Sequence, residues 1–193
     1  MFLGDLITSD VRVKLIIELF SEVNNNLYVR ELTRRVGTEV NAIRRELKRL
    51  TKAGIVKKEQ RGNRLYYLVK REHPYYYELL SMVAKEIHLG NSLIQNEPHL
   101  GKVRLALMSA EFFEGRVSRP DQLDLLLVGD INLPMLEDIV KDATRKIGRD
   151  INYTVLKDDE FTNTIARREN FLLSFLISPN ILLLGSANKY LAQ

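Results

Sequence analysis

Asn41 and Arg45 lie four positions apart in residues 38–53, whose sequence is TEVNAIRRELKRLTKA. If this segment is a helix, the two side chains point the same way, because positions i and i+4 lie on one face. An amide and a guanidinium at this spacing can both reach the edges of bases in a groove of DNA. The pair therefore predicts a surface that hydrogen-bonds to base edges, provided that this face of the helix points outward.

The remainder of the segment supports a helix with one apolar side. Val40, Ile43, Leu47 and Leu50 recur at spacings of three, four and three, as on a buried helix face. The opposite face carries polar, small and basic residues, namely Thr38, Asn41, Ala42, Arg45, Lys48, Arg49 and Lys52, with Arg44 at its flank. On composition alone, a solvated surface helix is the favoured explanation of this pattern, and the neighbouring segments reverse that preference.

Two helices are predicted before this segment. Residues 10–23 repeat apolar side chains at helical spacing, and Ser9 or Asp10 can cap the first turn. Residues 29–36 form a short second helix, and Gly37 is followed by Thr38 as the predicted N-cap of the next helix. Helix, glycine turn and helix together are typical of a helix-turn-helix.

A β-hairpin is predicted directly after Gly54, which ends the third helix. Residues 55–60 and 64–69 are rich in β-formers, and Arg61, Gly62 and Asn63 form a turn between them. Arg64 adds a second cation to the tip. A hairpin in this position is the wing of a winged helix.

Residues 10–70 resemble the winged helix-turn-helix of ArsR-like transcriptional regulators. The residues that carry the resemblance are Leu32-Thr33-Arg34-Arg35-Val36-Gly37, Val40, Ile43, Leu47, Leu50, Ala53-Gly54-Ile55-Val56, and Gly62. The resemblance implies that residues 38–48 enter the major groove of double-stranded DNA while the hairpin lies along the backbone or the minor groove. A winged helix used only for protein contacts is the alternative.

The roles of the polar residues follow from their chemistry. Thr38 and the first-turn N–H groups can hold a phosphate, because a helix N-terminus is electropositive. Asn41 and Arg45 are the predicted base readers, with Ala42 beside them. The predicted phosphate contacts are Arg44, Lys48, Arg49, Lys52, Arg61 and Arg64, with Asn63 at the tip of the wing.

Charge is divided unevenly along the chain. Residues 1–72 hold 16 Lys and Arg against 9 Asp and Glu, a net charge of +7, whereas residues 73–193 carry −3. This asymmetry predicts that only the first part contacts a polyanion. There are no cysteines, which excludes disulfides and thiolate metal sites. No secretory signal or membrane-spanning run is recognised, so we expect a cytoplasmic protein without membrane contact.

Residues 73–101 are interpreted as a connecting helix and a linker. Tyr76, Leu80, Val83 and Ile87 repeat at four, three and four, which predicts one helix of about four turns ending near Gly90. This helix could pack on its own winged helix or on a second copy. We expect a homodimer, because helix-turn-helix proteins usually read two half-sites.

Residues 102–193 alternate predicted strands and helices. Strands are predicted at 103–108, 123–128, 151–156 and 181–184, and helices at 133–147, 158–168 and 169–177. The expected fold is therefore α+β with two domains: a winged helix (1–72), the connecting helix and linker (73–101), and a small α/β domain (102–193).

The last segment resembles a minimal nucleotidyltransferase of the DNA polymerase β superfamily. The matching runs are RPDQLDLLLVGD at residues 119–130 and IGRDINYTVLKDDEF at residues 147–161. The resemblance implies a Gly-Ser turn for the triphosphate and three carboxylates for two Mg²⁺ ions. Here the turn reads Met108-Ser109, and Gln122 with Asp124 replaces the first carboxylate pair. The third strand lacks an acid, because Asp150 and Asp158 lie only at its ends.

These departures predict a vestigial transferase site at Ser109, Gln122 and Asp124, with no catalytic residue, metal or cofactor, because a neutral amide is a poor Mg²⁺ ligand. The expected function is a sequence-specific DNA-binding transcriptional regulator. Its second domain would dimerise, or sense a small-molecule or protein effector. Two alternatives stay open, namely an active Mg²⁺-dependent nucleotidyltransferase with an attached winged helix, and a protein–protein adaptor.

Overall fold

The computed structural model describes residues 2–21, 23–24 and 26–187. Backbone contacts divide the chain into two compact units, Met1–Glu86 and Ile87–Gln193. Each unit combines helices with one β-sheet, so the expected mixture of helices and sheets is confirmed. In the described ranges, no helix is both long enough and apolar enough to cross a lipid bilayer.

Unit 1 contains five helices and three strands among its described residues. The helices are α1 (Phe2–Leu6), α2 (Asp10–Ser21), α3 (Val29–Val36), α4 (Val40–Lys52) and α5 (Tyr76–Glu86). The strands are β1 (Leu27–Tyr28), β2 (Val56–Arg61) and β3 (Arg64–Val69), in the sheet order β1-β3-β2. Helix α2 is the centre of the unit and packs against α3, α4 and α5.

The turn between α3 and α4 differs in one detail from the sequence prediction. Gly37 has a left-handed backbone (φ 68°), and its N–H donates to the carbonyl of Thr33. The N–H of Thr38 still donates to that carbonyl, so Thr38 belongs to the turn. Glu39 is the N-cap residue and α4 begins at Val40. The assignment of Thr38 as N-cap is therefore wrong by one residue.

Helix α4 buries the predicted stripe. Ile43, Leu47 and Leu50 are buried, while Val40 is half-buried in the first turn. Their positions fix the roll of the helix about its own axis, because burying these three leucine-sized side chains contributes about 1.5–3 kcal/mol each. The opposite side of α4 consequently points away from the core of unit 1.

The predicted hairpin is confirmed and gains a third strand. Strands β2 and β3 are antiparallel, with Arg61 opposite Arg64 at the turn and Gly62 at φ 55° between them. Strand β1 pairs with β3 through Tyr28 opposite Tyr66. So short a strand has no repeating pattern of its own from which it could be predicted.

The single connecting helix predicted after residue 73 is wrong. The structure has α5, then α6 (His88–Gln95), separated by an extended Ile87 and by His88 with φ 48°. The apolar repeat continues across this break, so periodicity alone could not reveal it. The predicted linker at 90–101 is also largely helical, since α6 is followed by a 3₁₀ turn at Glu97–His99.

Unit 2 is a four-stranded mixed sheet with helices. Its strands are β4 (Gly101–Ser109), β5 (Leu125–Ile131), β6 (Tyr153–Leu156) and β7 (Asn180–Gly185), in the order β6-β5-β4-β7. The further helices are α7 (Ala110–Phe113), α8 (Leu133–Ile147), α9 (Asp158–Ala166) and α10 (Asn170–Ile177). Strand β4 runs antiparallel to β5 and β7, and β5 runs parallel to β6. The predicted strands and helices are confirmed, and α7 is an addition.

One hydrophobic core of unit 2 lies between one face of the sheet and helices α9 and α10. Leu105 and Leu107 of β4 and Leu126 and Val128 of β5 face it, since alternate residues of a strand share a face. The helices contribute Phe161, Leu172 and Phe175. This packing fixes the start of β5, and with it the segment that holds Gln122 and Asp124.

Candidate functional site

Asn41 and Arg45 are both exposed on α4, one turn apart. Arg44 and Lys48 are exposed beside them. We call these four residues, Asn41, Arg44, Arg45 and Lys48, the basic face of α4. Among the other predicted contacts on this segment, Lys52 is exposed, whereas Thr38 and Ala42 are half-buried.

The cations of this face find no neutralising carboxylate among the described residues. Within the part of the chain that the structure describes, Arg44, Arg45 and Lys48 have no carboxylate at ion-pair distance. Three uncompensated charges along two turns make a concentrated positive surface, which attracts polyanions. Their side chains are long enough to reach phosphates beyond the helix surface.

Arg49 differs from these three because it has an internal partner. Its Nη1 atom lies 3.1 Å from Oε1 of Glu46, and it is exposed over more than half of its side chain. Arg49 is therefore partly neutralised, and a phosphate contact would compete with Glu46.

Glu46 itself is a buried carboxylate that the sequence analysis missed. Only 4% of its surface is exposed, and its Oε2 atom accepts a 2.8 Å hydrogen bond from Nε of Arg12 on α2. Burying a charge is costly unless it is paired, and the two arginines provide that pairing. The available signal was an acidic residue next to Leu47 of the apolar stripe, but nothing in the sequence named its partner.

The wing carries its cations on aromatic rings. The guanidinium of Arg61 lies 5.7 Å from the ring centroid of Tyr66, and that of Arg64 lies 5.2 Å from Tyr28. Asn63 is exposed at the tip. Glu59 reduces the free charge of the wing, since its Oε1 atom lies 2.7 Å from Nε of Arg61. This hydrogen bond lowers the pKa of Glu59 and raises that of Arg61.

In unit 2, Ser109 is used by its own helix. It is buried and caps α7, where its Oγ accepts a 3.2 Å hydrogen bond from the N–H of Phe112. A hydroxyl engaged in this way stabilises the turn after β4. Met108, which precedes Ser109, is the buried penultimate residue of β4.

Asp124 and Gln122 are brought together by an arginine that the sequence analysis did not single out. Arg116 donates from Nη2 to Oδ1 of Asp124 at 2.8 Å, and from Nη1 to Oε1 of Gln122. Its Nε atom lies 3.2 Å from Oε2 of Glu111. The second oxygen of Asp124 accepts a 2.9 Å hydrogen bond from the N–H of Asn152. We call Glu111, Arg116, Gln122, Asp124 and Asn152 the Arg116 cluster.

A second arginine, Arg149, bonds to the backbone of the segment that carries Arg116. Arg149 donates to the carbonyl of Arg116 at 2.6 Å and to that of Phe112 at 3.0 Å, and its guanidinium lies over the Phe112 ring. Burial lowers the pKa of Arg149, while the charge of Asp124 opposes that shift. Two guanidinium groups thus lie in the electrostatic reach of one buried carboxylate.

The residues of the Arg116 cluster do not fit a pair of divalent cations. Magnesium sites need several carboxylate oxygens with lone pairs free for the ion. Here both oxygens of Asp124 already accept hydrogen bonds, and Gln122 contributes only a neutral amide. Across the described residues, no group of three His, Cys, Asp or Glu side chains could hold a metal ion.

A cleft of about 490 Å³ opens beside the cluster. Its walls include Gln122, Asn152, Tyr153 and the exposed ring of Phe171. A smaller pocket of about 90 Å³ next to it reaches Arg116. The walls of this open cleft combine an aromatic ring with polar side chains.

The chain was compared with protein families, curated proteins and solved structures. No family model matches the chain, and no curated protein matches it. Among solved structures, the chain is similar to reduced HlyU from Vibrio cholerae N16961, with 20% sequence identity and a TM-score of 0.34. That match covers 44% of this chain and 82% of HlyU.

Proposed function

We propose that the chain is a sequence-specific DNA-binding transcriptional regulator that acts through unit 1. The observation that carries this proposal is the basic face of α4, whose three cations lack carboxylate partners among the described residues. The apolar stripe on the other side of the helix supports the outward orientation of this face. DNA is the polyanion that a helix of this kind can enter through the major groove.

The proposed contacts divide into two classes. Asn41 and Arg45 read base edges, with Ala42 close to the same bases. Phosphates are bound by Arg44, Lys48 and Lys52, by Arg49 in competition with Glu46, and by Thr38 at the turn before the helix. Arg61, Asn63 and Arg64 hold the wing against the backbone or in the minor groove. Phosphate contacts give affinity and base contacts give specificity.

The proposal is tested by recovering genomic DNA bound to the full chain and titrating the enriched duplex against a scrambled one. We expect tight binding to the enriched duplex whose affinity falls steeply with salt, because counterions are released from neutralised phosphates. Binding to no duplex, or binding that is independent of salt, would contradict the proposal. A stable complex with a protein partner and no duplex affinity would favour an adaptor instead.

We also propose a homodimer that reads two half-sites. Phe2 and Leu6 lie one turn apart on α1 and are 70% and 60% exposed, and Tyr77 at the start of α5 is also exposed. Apolar side chains in such positions are commonly covered by a partner. Sedimentation of the wild-type chain against a Phe2→Ser/Leu6→Ser variant tests this: the variant should be monomeric, and a monomeric wild-type chain would refute the dimer.

Unit 2 is proposed to lack nucleotidyl transfer and to serve dimerisation or the sensing of an effector, in a cytoplasmic protein. The ion pair of Arg116 with Asp124 supports the loss of catalysis, because it occupies the remaining carboxylate of the motif. The test is incorporation from a labelled nucleoside triphosphate with Mg²⁺. Transfer that disappears in Asp124→Ala would establish an enzyme instead.

A further inference from the structure

The guanidinium group of Arg116 contacts three side chains that carry oxygen atoms. Its guanidinium reaches Asp124, Gln122 and Glu111, which come from different segments of unit 2. Glu111 lies in α7, while the other two lie at the approach to β5. One planar group thus joins side-chain oxygens of segments that are already paired through their backbones, since the N–H of Ser109 donates to the carbonyl of Asp124 at 2.9 Å.

Asp124 depends on this arginine. Its side chain is completely buried (0% exposed), whereas the Arg116 side chain retains 20% exposure. A buried carboxylate without a cationic partner is strongly disfavoured. The N–H of Asn152 satisfies one oxygen of Asp124 but carries no net charge. Arg116 is therefore the group that neutralises Asp124 directly.

The charge balance of the cluster leaves no demand for a metal ion. Glu111 and Asp124 provide two negative charges, and Arg116 and Arg149 provide two positive charges within electrostatic reach. A divalent cation added to this arrangement would meet two guanidinium groups. Metal sites show the opposite balance, with an excess of carboxylates around the ion.

We propose that Arg116 is the resident cation of this cleft: it donates hydrogen bonds to Asp124 and Gln122 and forms an ion pair with Glu111 in place of a divalent metal ion, and it thereby keeps such ions out. This inference deepens the proposal that unit 2 has lost nucleotidyl transfer, and it is independent of DNA binding by unit 1. It also gives the loss a structural cause beyond the missing carboxylates, namely a side chain of the protein that competes for the acidic residue which remains.

The experiment measures Mn²⁺ binding by the full chain from the loss of the free-ion paramagnetic resonance signal, together with the melting temperature. Wild-type protein and Arg116→Lys should show no binding that depends on Asp124. Arg116→Met should melt lower by roughly 6–20 °C, as expected when one partner of a buried ion pair is removed. It should also bind one Mn²⁺ per chain, and its melting temperature should rise when Mn²⁺ is added.

Two controls identify the source of the effect. Arg119→Met removes an exposed arginine three positions away and should leave both readouts at wild-type values. Arg116→Met/Asp124→Asn should lose the Mn²⁺ response and regain part of the thermal stability, because the buried charge is gone.

The proposal is overturned if the wild-type chain binds Mn²⁺ through Asp124, or if folded Arg116→Met binds none. Should Arg116→Met not fold, Arg116→Gln, which keeps hydrogen-bonding capacity without charge, replaces it in the same measurement. If neither neutral variant folds, the wild-type arm decides alone. The transfer assay separates the two proposals. If the wild-type chain shows no nucleotidyl transfer and Arg116→Met binds no Mn²⁺, the exclusion of metal by Arg116 is refuted, while the loss of nucleotidyl transfer stands.

Discussion

Nε of Arg12 lies 2.8 Å from Oε2 of Glu46, and this contact joins α2 to the buried side of α4. The same carboxylate reaches Arg49 through its other oxygen at 3.1 Å. A single buried acid thus links the centre of unit 1 to a residue at the edge of the basic face. Glu46 is a positioning residue in the proposed regulator, since it sets the orientation of α4 without pointing toward DNA.

Glu46→Gln should destabilise unit 1 by about 1–3 kcal/mol, because a charge-assisted hydrogen bond is weakened and Arg12 loses its partner. Chemical denaturation, monitored by circular dichroism, measures this change in the free energy of unfolding. Glu72→Gln, at an exposed position, is the matched control and should be neutral. Equal stability of the two variants would show that the Arg12–Glu46 pair contributes nothing to the fold.

Arg45→Ala should reduce the preference for the enriched duplex over a scrambled duplex by about 1–3 kcal/mol, the discrimination expected from one bidentate base contact. Fluorescence anisotropy with both duplexes at one salt concentration measures the ratio. Lys85→Ala removes the same charge from an exposed position of α5 and should leave the ratio unchanged. An equal loss of affinity on both duplexes in Arg45→Ala would assign Arg45 to phosphate binding.

Changes in the wing should alter affinity without altering sequence preference. Arg61→Ala should weaken binding to all duplexes. It should also make the negative slope of log K against log salt shallower by up to about one, as expected for the loss of one phosphate contact. Glu59→Gln should have the opposite effect, because it releases Arg61 from its 2.7 Å ion pair. Salt titrations of the two variants and the wild-type chain test this. Tighter binding in Glu59→Gln is the critical result, and weaker binding would exclude Arg61 as a phosphate contact.

The stability of unit 2 should depend on pH through His88. His88 is exposed as a whole residue. Partial desolvation, followed by the charge of Lys146, lowers the pKa of His88 below its ordinary value of 6.5, so the folded state prefers the neutral ring. The unfolded chain therefore binds the proton first as pH falls. The contribution of the neutral His88 ring to the free energy of unfolding is therefore fully present above pH 6.5. It is lost as pH falls from 6.5 toward the lowered pKa of the folded state.

His88→Asn should flatten this dependence, because asparagine does not titrate in this range and tolerates the left-handed backbone at position 88 (φ 48°). Thermal melts at several pH values between about 5 and 7.5 compare the two chains. His99→Gln, at an exposed position, is the control. A wild-type pH profile that persists unchanged in His88→Asn would refute the assignment to His88.

Local pattern was sufficient wherever one segment decides its own structure. The spacing of Ile43, Leu47 and Leu50 predicted which side of α4 is buried, and Gly62 predicted the turn of the wing. Prediction from local pattern failed where the apolar repeat continues across a break in the helical backbone. The break at Ile87 and His88 interrupts a helical repeat that the amino-acid types alone do not distinguish from one long helix.

The partners of the buried charges could not be predicted in the same way. Glu46 is separated from Arg12 by 34 residues, and Asp124 from the N–H of Asn152 by 28. Such pairs form when the packing of separate elements brings them together, and no local periodicity records that choice. The amino-acid sequence alone therefore determined the helices and strands that have a clear pattern of their own, and the side of α4 that carries positive charge. The folded chain settled which basic residues lack a carboxylate partner among the described residues, and which, like Arg49 on α4 and Arg116 in unit 2, are paired with one, since electrostatic pairing depends on distance in space.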